Sequence, residues 1–340
     1  MNIQEMKATI SKFRRADLSV IKDEKLRAKG QKLQGKEKGF TLLELLVVIT
    51  LIAILATGAL IAYEDVGEAA EAASAGNAAA TIDRAIRTYR AVENVYPNQW
   101  DNLVEEGGSE MFFSAPAMRT FLAAWQAPVS GDTEHEVLQE MFEESGIEEL
   151  QTLNTGSNFT TAVANNPAPN RFHNESTGDA FEAEIEEGEF PSHLAVVPND
   201  QCPTGILTND YPTAAFDTSV SVSGNNLQNR YGDALEGDEC HMMIALGFGG
   251  DAAASTTFSN VAVAQSPTYV RNTGDEDTSV NPETNYSRYI GLFQAGQYGD
   301  ADGDPNGVGA AWSWNDTLRL IAIVSTDGKN IDELVSEAQQ

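Results

Sequence analysis

One carboxylate stands alone in a long apolar stretch of this sequence. From Phe40 to Ala62 the chain runs for 23 residues with Glu44 as its one ionisable side chain. As a helix this stretch would measure roughly 35 Å, which is long enough to cross the hydrocarbon core of a bilayer. A carboxylate at mid-membrane depth costs about 2.5–3.5 kcal/mol, so its presence calls for a compensating group. A charge supplied by another copy of the same chain is one such group.

A basic residue and a glycine, Lys38 and Gly39, precede this stretch, which opens Phe-Thr-Leu-Leu-Glu. The pattern, over about residues 36–63, resembles the processing site of type IV prepilins and type II secretion pseudopilins. The resemblance implies cleavage after Gly39 by a prepilin peptidase and methylation of the new N-terminus at Phe40. It also implies a filament in which Glu44 neutralises the N-terminal amine of a neighbouring subunit. An uncleaved anchor or an ordinary secretory signal is the other interpretation, but a secretory apolar region is shorter, about 7–15 residues.

The resemblance also implies a fold class. We expect an α+β, pilin-like protein in which a long N-terminal helix, transmembrane in its first half, packs on an antiparallel β-sheet head. Four segments follow from this: a leader at 1–39 that is removed, a transmembrane and assembly half of the helix at 40–63, an amphipathic half at 64–96, and a globular extracytoplasmic head at 97–340.

The charges are divided unevenly between these segments. The leader holds 11 basic and 5 acidic residues, a net charge of +6, whereas residues 40–340 hold 10 basic and 46 acidic residues, a net charge of −36. A basic leader is typical of a segment retained in the cytoplasm. The acidic head repels nucleic acid, so no nucleic-acid binding by the head is expected.

An acidic loop late in the head is the candidate metal site. Its alternating oxygen donors suit Ca²⁺, which takes six to eight oxygen ligands, and some pseudopilins hold calcium in a late loop of the head. The loop is not an EF-hand, because Pro305 replaces the turn glycine and Ala311 stands where a bidentate Glu is needed. The alternative for this loop is a solvated acidic turn. The acidic run at 275–277 is a weaker candidate for a calcium site. No organic cofactor is expected. The predicted ligands are Asp300, Asp302, Asp304 and Asn306.

The two cysteines of the sequence are Cys202 and Cys240. An even count on the outer side of the membrane favours a disulfide over two separate thiols.

The histidines have neither metal-ligand spacing nor a nucleophile at a recognisable distance, so we interpret them as surface or hydrogen-bonded residues and expect no enzyme activity. Glycosylation sequons begin at Asn158, Asn174, Asn285 and Asn315; they fit a glycosylated surface, but a chain rich in Asn, Ser and Thr also produces them by chance. The histidines are His135, His173, His193 and His241.

The secondary-structure pattern supplies the elements around these sites. Helical spacing continues from the membrane stretch with a predicted buried face, and Pro97 is expected to end the helix. Residues 100–103 resemble the exit from the pilin helix into its connecting loop. A short leader helix is predicted around 7–29, and further helices at 115–126, 133–150 and 330–338. Strands are predicted at 193–197, 242–248, 257–264, 286–293 and 318–325. The predicted buried face consists of Ala79, Ile82, Ile86, Tyr89, Val92 and Glu93.

Three hypotheses for function follow. The first is a structural subunit of a type IV pilus-like extracellular filament, a helical homopolymer built from the inner membrane by an assembly platform. The second is a pseudopilin of a type II secretion system, whose pseudopilus stays in the periplasm. The third is a membrane-tethered extracytoplasmic enzyme or receptor. Glu44 argues against the pseudopilin that caps the secretion tip, since that subunit usually lacks the glutamate.

Overall fold

The computed structural model describes residues 3–34, 42–104, 121–153, 180–185, 190–214, 239–272 and 286–339, with a few single residues between these ranges. Within the chain there are two compact units, Met1–Glu64 and Asp65–Gln340.

The described part of the leader contains two helices. Helix α1 spans Ile3–Arg15, a short 3-10 turn follows at Leu18–Val20, and helix α2 spans Glu24–Gln34. The prediction of one short helix around 7–29 is therefore wrong. Two aspartates explain the break, because Asp17 accepts a hydrogen bond from the backbone N–H of Ser19 and Asp23 accepts one from that of Lys25, both at 2.9 Å. Such side-chain acceptors favour the ends of helices over their interiors.

Helix α3 spans Leu42–Glu93. Its C-terminus differs from the prediction, because the helix ends at Glu93 and does not continue to residue 96, where Pro97 is expected to end it. Asn94 adopts a left-handed conformation with φ 67°, and its N–H donates to the carbonyl of Arg90 at 2.8 Å. A left-handed asparagine is a common helix terminator, so the cap ends α3 three residues before the proline.

In the described residues, the head is built on one eight-stranded sheet. Its strands are β1 Trp100–Asn102, β2 Ala123–Gln126, β3 Glu149–Leu153, β4 Ala180–Glu184, β5 His193–Val196, β6 Cys240–Gly247, β7 Ile290–Gly299 and β8 Ala311–Val324. Strand β6 lies at its centre: β7 pairs along one edge, while β5 and β1 share the other edge. Strand β8 continues the sheet from β7, β2 pairs with β5, and β3 and β4 follow β1.

The α+β expectation is confirmed, with one correction to the antiparallel sheet. Strands β1 and β3 pair in parallel, with Trp100 opposite Leu150, while the other strand pairs are antiparallel. A parallel pair needs a long crossover connection, and the chain between these strands includes helix α4, Thr133–Glu144.

Both faces of the sheet are covered. Along β6, Ile244 and Leu246 belong to one apolar cluster and Met243 and Ala245 to another, as the two-residue period of a strand requires. The first cluster also receives apolar residues of α3, of α4, of the short helix α5 (Gly250–Ser255) and of α6 (Ile331–Glu337). From α3 these are Ala75, Ala79, Ile82 and Ile86.

The predicted buried face of α3 is correct at Ala79, Ile82 and Ile86 but not at its end. Val92 is exposed, as is Glu93, whose carboxylate accepts a hydrogen bond from the Ser259 hydroxyl at 2.6 Å. Gly76 is buried, and a Cβ there would lie 3.3 Å from a Val335 methyl carbon, so the glycine lets α6 pack close to α3.

Several shorter predictions are also wrong. Of the helix predicted at 115–126, residues 115–120 lie outside the described residues and 123–126 form β2. The helix predicted at 133–150 ends at Glu144 and is followed by β3. The strand predicted at 257–264 is instead made of turns and irregular chain. The predicted connecting loop at 100–103 begins with β1, where the Tyr286 hydroxyl donates to the buried Asp101 carboxylate at 2.6 Å. The strands near 193, 242 and 318 and the C-terminal helix are confirmed, and the strand predicted at 286–293 begins later, at Ile290.

Candidate processing and assembly segment

The first part of α3 presents apolar side chains to its surroundings along its whole length. Leu42–Leu60 is the one described helix long and apolar enough to cross a membrane, with a mean hydropathy of 2.5 and none of its residues buried. Leu42 and Leu43 are 83% and 71% exposed. Because apolar surface of this extent is unfavourable in water, the segment requires lipid or other protein around it.

The hydroxyl groups of two threonines inside this segment are hydrogen-bonded within the helix. The Thr50 hydroxyl donates to the carbonyl of Val47 at 2.9 Å, and that of Thr57 to the carbonyl of Ala53 at 2.8 Å. Both bonds lie within the helix, so neither hydroxyl needs water or another chain. These two hydroxyl groups therefore meet the requirement that polar groups in hydrocarbon find partners locally.

Glu44 lies in the first turn of α3, on an exposed position. The N-terminus of a helix carries a partial positive charge, which favours a carboxylate in the first turn. The processing residues themselves, Gly39 and Phe40, lie outside the described residues. The cleavage site and the pairing of Glu44 with the amine of Phe40 therefore stay predictions.

In the head, an ion cluster joins α6 to a neighbouring loop; we define it as Arg271, Asp327, Lys329 and Glu337. The Asp327 carboxylate, which is buried, receives Arg271 Nη1 at 2.8 Å and lies 3.7 Å from Lys329 Nζ. Glu337 pairs with both cations. Burial and the adjacent Asp327 raise the pKa of the Tyr269 hydroxyl, which donates to Asp327 at 3.0 Å. The sole lysine after the leader thus holds the C-terminal helix on the head.

A second polar group closes the free edge of β8. The carbonyl of Leu318 accepts from Arg90 at 3.0 Å and that of Ile321 from Arg87 at 3.2 Å. On the donor side, Leu318 N–H donates to the Ser145 hydroxyl at 2.7 Å and Leu320 N–H to the Tyr96 hydroxyl at 2.9 Å. Side chains thereby replace the missing neighbouring strand along this part of the edge, which we call the capped edge of β8.

Sequence reasoning missed this edge, although a signal was present. Arg84, Arg87 and Arg90 place three of the ten basic residues after the leader within seven positions of one helix. In so acidic a chain, such a concentration of arginine indicates a defined set of acceptors. Arg84 donates to the carbonyl of Ala80 in its own helix. Arg87 and Arg90 donate to main-chain carbonyls of a strand more than 200 residues away, and these acceptors have no signature in sequence.

The predicted disulfide is present. Cys202 and Cys240 are joined, with their Cα atoms 4.7 Å apart, and the described chain has no other cysteine. The bond ties the start of β6 to the loop after β5. Both cysteines are buried in the main apolar cluster, so the bond forms part of the core.

The acidic loop uses its carboxylates to shape itself. Asp300 Oδ1 accepts from the backbone N–H groups of Asp302 and Asp304 at 3.0 and 3.1 Å, and Asp304 Oδ1 accepts from Asn306 N–H at 2.8 Å. Among the described residues, no three His, Cys, Asp or Glu side chains gather closely enough to hold a metal. The residues present therefore do not form a ready-made site, and calcium binding here stays a prediction; residues 275–277 lie outside the described ranges.

The described histidines have structural environments. His135 is buried and hydrogen-bonds through Nδ1 to the carbonyl of Pro128, and His193 contacts the Ser192 hydroxyl. His241 is buried between Gln294, 3.0 Å from its Nδ1, and Glu239, 3.1 Å from its Nε2. Burial lowers the pKa of His241 to about 4, so the ring is neutral at pH 7. His173 lies outside the described residues.

The side-chain amide of one sequon asparagine has a structural role. Asn315 lies in β8 and its Nδ2 donates to the carbonyl of Gln294 at 3.1 Å. A glycan on that nitrogen would disrupt the bond between neighbouring strands. Asn158, Asn174 and Asn285 lie outside the described residues.

Comparison with known proteins returned one family model. The prokaryotic N-terminal methylation motif matches residues 34–60. A search of curated proteins and a search of solved structures returned no match. The matched residues include the Gly39–Phe40 bond, Glu44 and the exposed apolar part of α3 up to Leu60. At its N-terminus, therefore, this chain carries the signature of type IV pilins and pseudopilins.

Proposed function

We propose that the mature chain, beginning at Phe40, is a structural subunit of a type IV pilus-like extracellular filament. A prepilin peptidase removes the leader in the inner membrane, and an assembly platform there adds the subunit to the filament through α3. The observation that carries the proposal is the methylation motif on a helix whose apolar residues, Leu42–Leu60, are all exposed. We expect no enzymatic activity.

The apolar surface alone does not drive polymerisation. Lipid tails are as apolar as leucine, so transfer of a helix from the bilayer to a bundle of helices gains little from the hydrophobic effect. Packing and polar contacts between helices must supply the difference. Pairing of Glu44 with the methylated amine of Phe40 from a neighbouring subunit is such a contact, and it exists only in the assembled state.

The head is consistent with a structural role. Its polar groups include the ion cluster, the capped edge of β8 and the disulfide, all of which hold elements of the head together. The net charge of −36 after the leader keeps heads from associating with one another except where α3 brings them together.

The test compares Glu44→Ala with Leu45→Ala in cells. In a filament core, removal of one member of a buried ion pair leaves the other charge unpaired and typically costs 3–5 kcal/mol. In the bilayer, by contrast, loss of the carboxylate makes the helix more apolar. Glu44→Ala should therefore be processed and inserted normally but be nearly absent from filaments, whereas Leu45→Ala should assemble almost as well as the wild type.

The measurement is the amount of subunit in the membrane fraction and in filaments sheared from the cell surface. Wild-type filament yield from Glu44→Ala would refute the proposed role of the carboxylate. Absence of the wild-type chain from every filament fraction would favour a tethered protein. A wild-type chain found in envelope pseudopili and absent from sheared surface filaments would assign it to a type II secretion system instead.

A further inference from the structure

The leader presents an apolar stripe on α1. Met6, Ile10 and Phe13 follow one another at intervals of four and three residues, so they lie on one helical face. They are 42%, 55% and 40% exposed. Lys12 and Arg15 are also exposed and lie on other faces of the helix. We call Met6, Ile10 and Phe13 the leader stripe.

Helix α2 adds a row of positive charge. Lys25, Lys29 and Lys32 recur at intervals of four and three residues, so they share one face of α2, and all three are exposed. Leu26, which is also exposed, is adjacent to this row in the sequence. We call these three residues the lysine row.

Specific contacts hold α2 against the end of α1. Gln34 Nε2 donates to the carbonyls of Phe13 and Ala16 at 2.8 and 2.9 Å. Leu18 is buried, and its Cδ1 lies only 2.9 Å from the position of a Cβ on Gly30, so the glycine allows close packing. The leader is therefore a folded element that carries the stripe and the row together.

The chain keeps this element near a membrane. Eight residue steps separate Gln34 from Leu42, where the membrane-spanning part of α3 begins, and a chain of that length reaches about 30 Å at most. The cytoplasmic leaflet carries anionic lipids and attracts basic segments close to a membrane-spanning helix. A helix with an exposed apolar face and neighbouring basic residues is typical of segments that lie in such an interface.

We propose that the leader of the unprocessed precursor docks on the anionic cytoplasmic surface of the membrane, with the leader stripe inserted among the lipids and the lysine row paired with their phosphate groups. The net charge of +6 on residues 1–39 matches this surface. A soluble protein partner has less support, because the nearest surface to the leader is the bilayer that the same chain spans. The docked leader would hold the segment that includes Gly39 at the interface before cleavage.

The experiment uses full-length precursor in lipid nanodiscs, either of phosphatidylcholine alone or with about one third phosphatidylglycerol. A polarity-sensitive fluorophore is attached at Ile10→Cys, on the leader stripe, and in a matched sample at Lys12→Cys, on another face of α1. The native cysteines are disulfide-bonded and do not react. A quencher attached to lipid headgroups then reports contact of each position with the membrane.

We expect strong quenching at position 10 with anionic lipid, weak quenching with neutral lipid, and weak quenching at position 12 with both. The substitutions K25Q, K29Q and K32Q together should shift the balance from docked to free leader on the order of a hundredfold, at roughly fivefold for each lysine. Arginine at the same three positions should preserve docking.

Equal quenching at positions 10 and 12, or quenching at position 10 that ignores anionic lipid, would overturn the proposal. A leader that shows no lipid contact but is retained by a soluble cytoplasmic protein would assign the stripe to that protein. Because the measurement uses unprocessed precursor, its outcome is independent of whether the mature chain forms filaments.

Discussion

The two parts of helix α3 differ in whether their apolar side chains are packed within the chain or exposed. From Leu42 to Leu60 every residue is exposed, whereas Ala79, Ile82 and Ile86 are buried in the main apolar cluster of the head. The second part therefore has its packing partners within the same chain. Among the described residues the first part has no such partners, so we expect lipid or other protein to surround it. Substitutions in the first part are expected to change localisation and assembly, and those in the second part to change folding.

Cleavage is expected to show the largest effect. Gly39→Val places a branched side chain at the predicted scissile bond, where it would obstruct a narrow peptidase site, so the precursor should accumulate in full. Gly67→Val is the matched control, because a Cβ at Gly67 meets no atom within 4 Å. The measurement is the N-terminal sequence of membrane-bound protein. A Phe40 N-terminus in the Gly39→Val protein would contradict the processing prediction.

Loss of the disulfide tests how much this bond contributes to the stability of the head. Replacement of Cys202 and Cys240 by alanine removes a cross-link with a sequence separation of 38 and should lower the free energy of unfolding by roughly 4 kcal/mol. Tryptophan fluorescence during denaturation measures this, because all four tryptophans lie in the head. Reduced wild-type protein should show the same loss. A change below about 1 kcal/mol would mean that the apolar cluster holds these segments without the bond.

The comparison between the two parts of α3 can be tested with two truncations of similar size. Ile86→Ala leaves a cavity in the apolar cluster and should destabilise the head by about 3 kcal/mol. Ile52→Ala removes the same atoms from an exposed position and should leave head unfolding unchanged. Tryptophan fluorescence during denaturation in detergent is again the measurement. Equal effects of the two truncations would contradict the distinction between the exposed and the buried part of α3.

Acid should destabilise the head through His241. Burial lowers the folded-state pKa of this histidine from 6.5 to about 4, so the unfolded chain binds a proton more readily between these values. The stability that the neutral ring contributes is complete above pH 6.5 and is lost as the pH falls towards 4. At about pH 5 the expected loss is roughly 2 kcal/mol.

His241→Gln is the matched variant, since it cannot titrate in this range. The difference in unfolding free energy between wild type and variant should change with pH in that window. The nearby Glu239, 3.1 Å from Nε2, offsets part of the loss by favouring the protonated ring. A difference that is constant from pH 7 to about pH 4.5 would show that His241 does not titrate as predicted.

Calcium should have the smallest effect. If Asp300, Asp302 and Asp304 bind the ion, calcium at ten times its dissociation constant stabilises the head by about 1.4 kcal/mol. Chelator should remove this increment, and the triple Asp→Asn protein should not respond to calcium. Identical melting of wild type in calcium and in chelator would leave an acidic turn, consistent with the hydrogen bonds that the carboxylates already accept.

Local patterns predicted the long elements of the fold. The apolar run, the stripe of Ile82 and Ile86 and the C-terminal helix are confirmed; the last begins with a capping box of Asn330 and Glu333. Each of these features arises from residues a few positions apart. The Cys202–Cys240 pair was also predictable, because the sequence contains only two cysteines.

Short central strands were missed for a physical reason. Strand β1 has three residues and includes Asp101, a residue that strands disfavour, yet it is buried because Tyr286, from 185 positions away, donates a hydrogen bond to it. The ion cluster and the capped edge of β8 likewise combine residues that are far apart in sequence. Tertiary contacts override local preference at these places, and no window of sequence contains them.

The capped edge of β8 has a consequence for a polymer of this protein. Heads attached to a common filament would stand only nanometres apart, and an open strand edge at such local concentration is a template for unwanted sheet growth. Here Arg87 and Arg90 occupy the carbonyls at which a foreign strand would pair. Both arginines belong to α3, so a subunit whose helix has come away from its sheet would expose an adhesive edge. Correct folding of each head thus becomes a condition for orderly growth of the fibre.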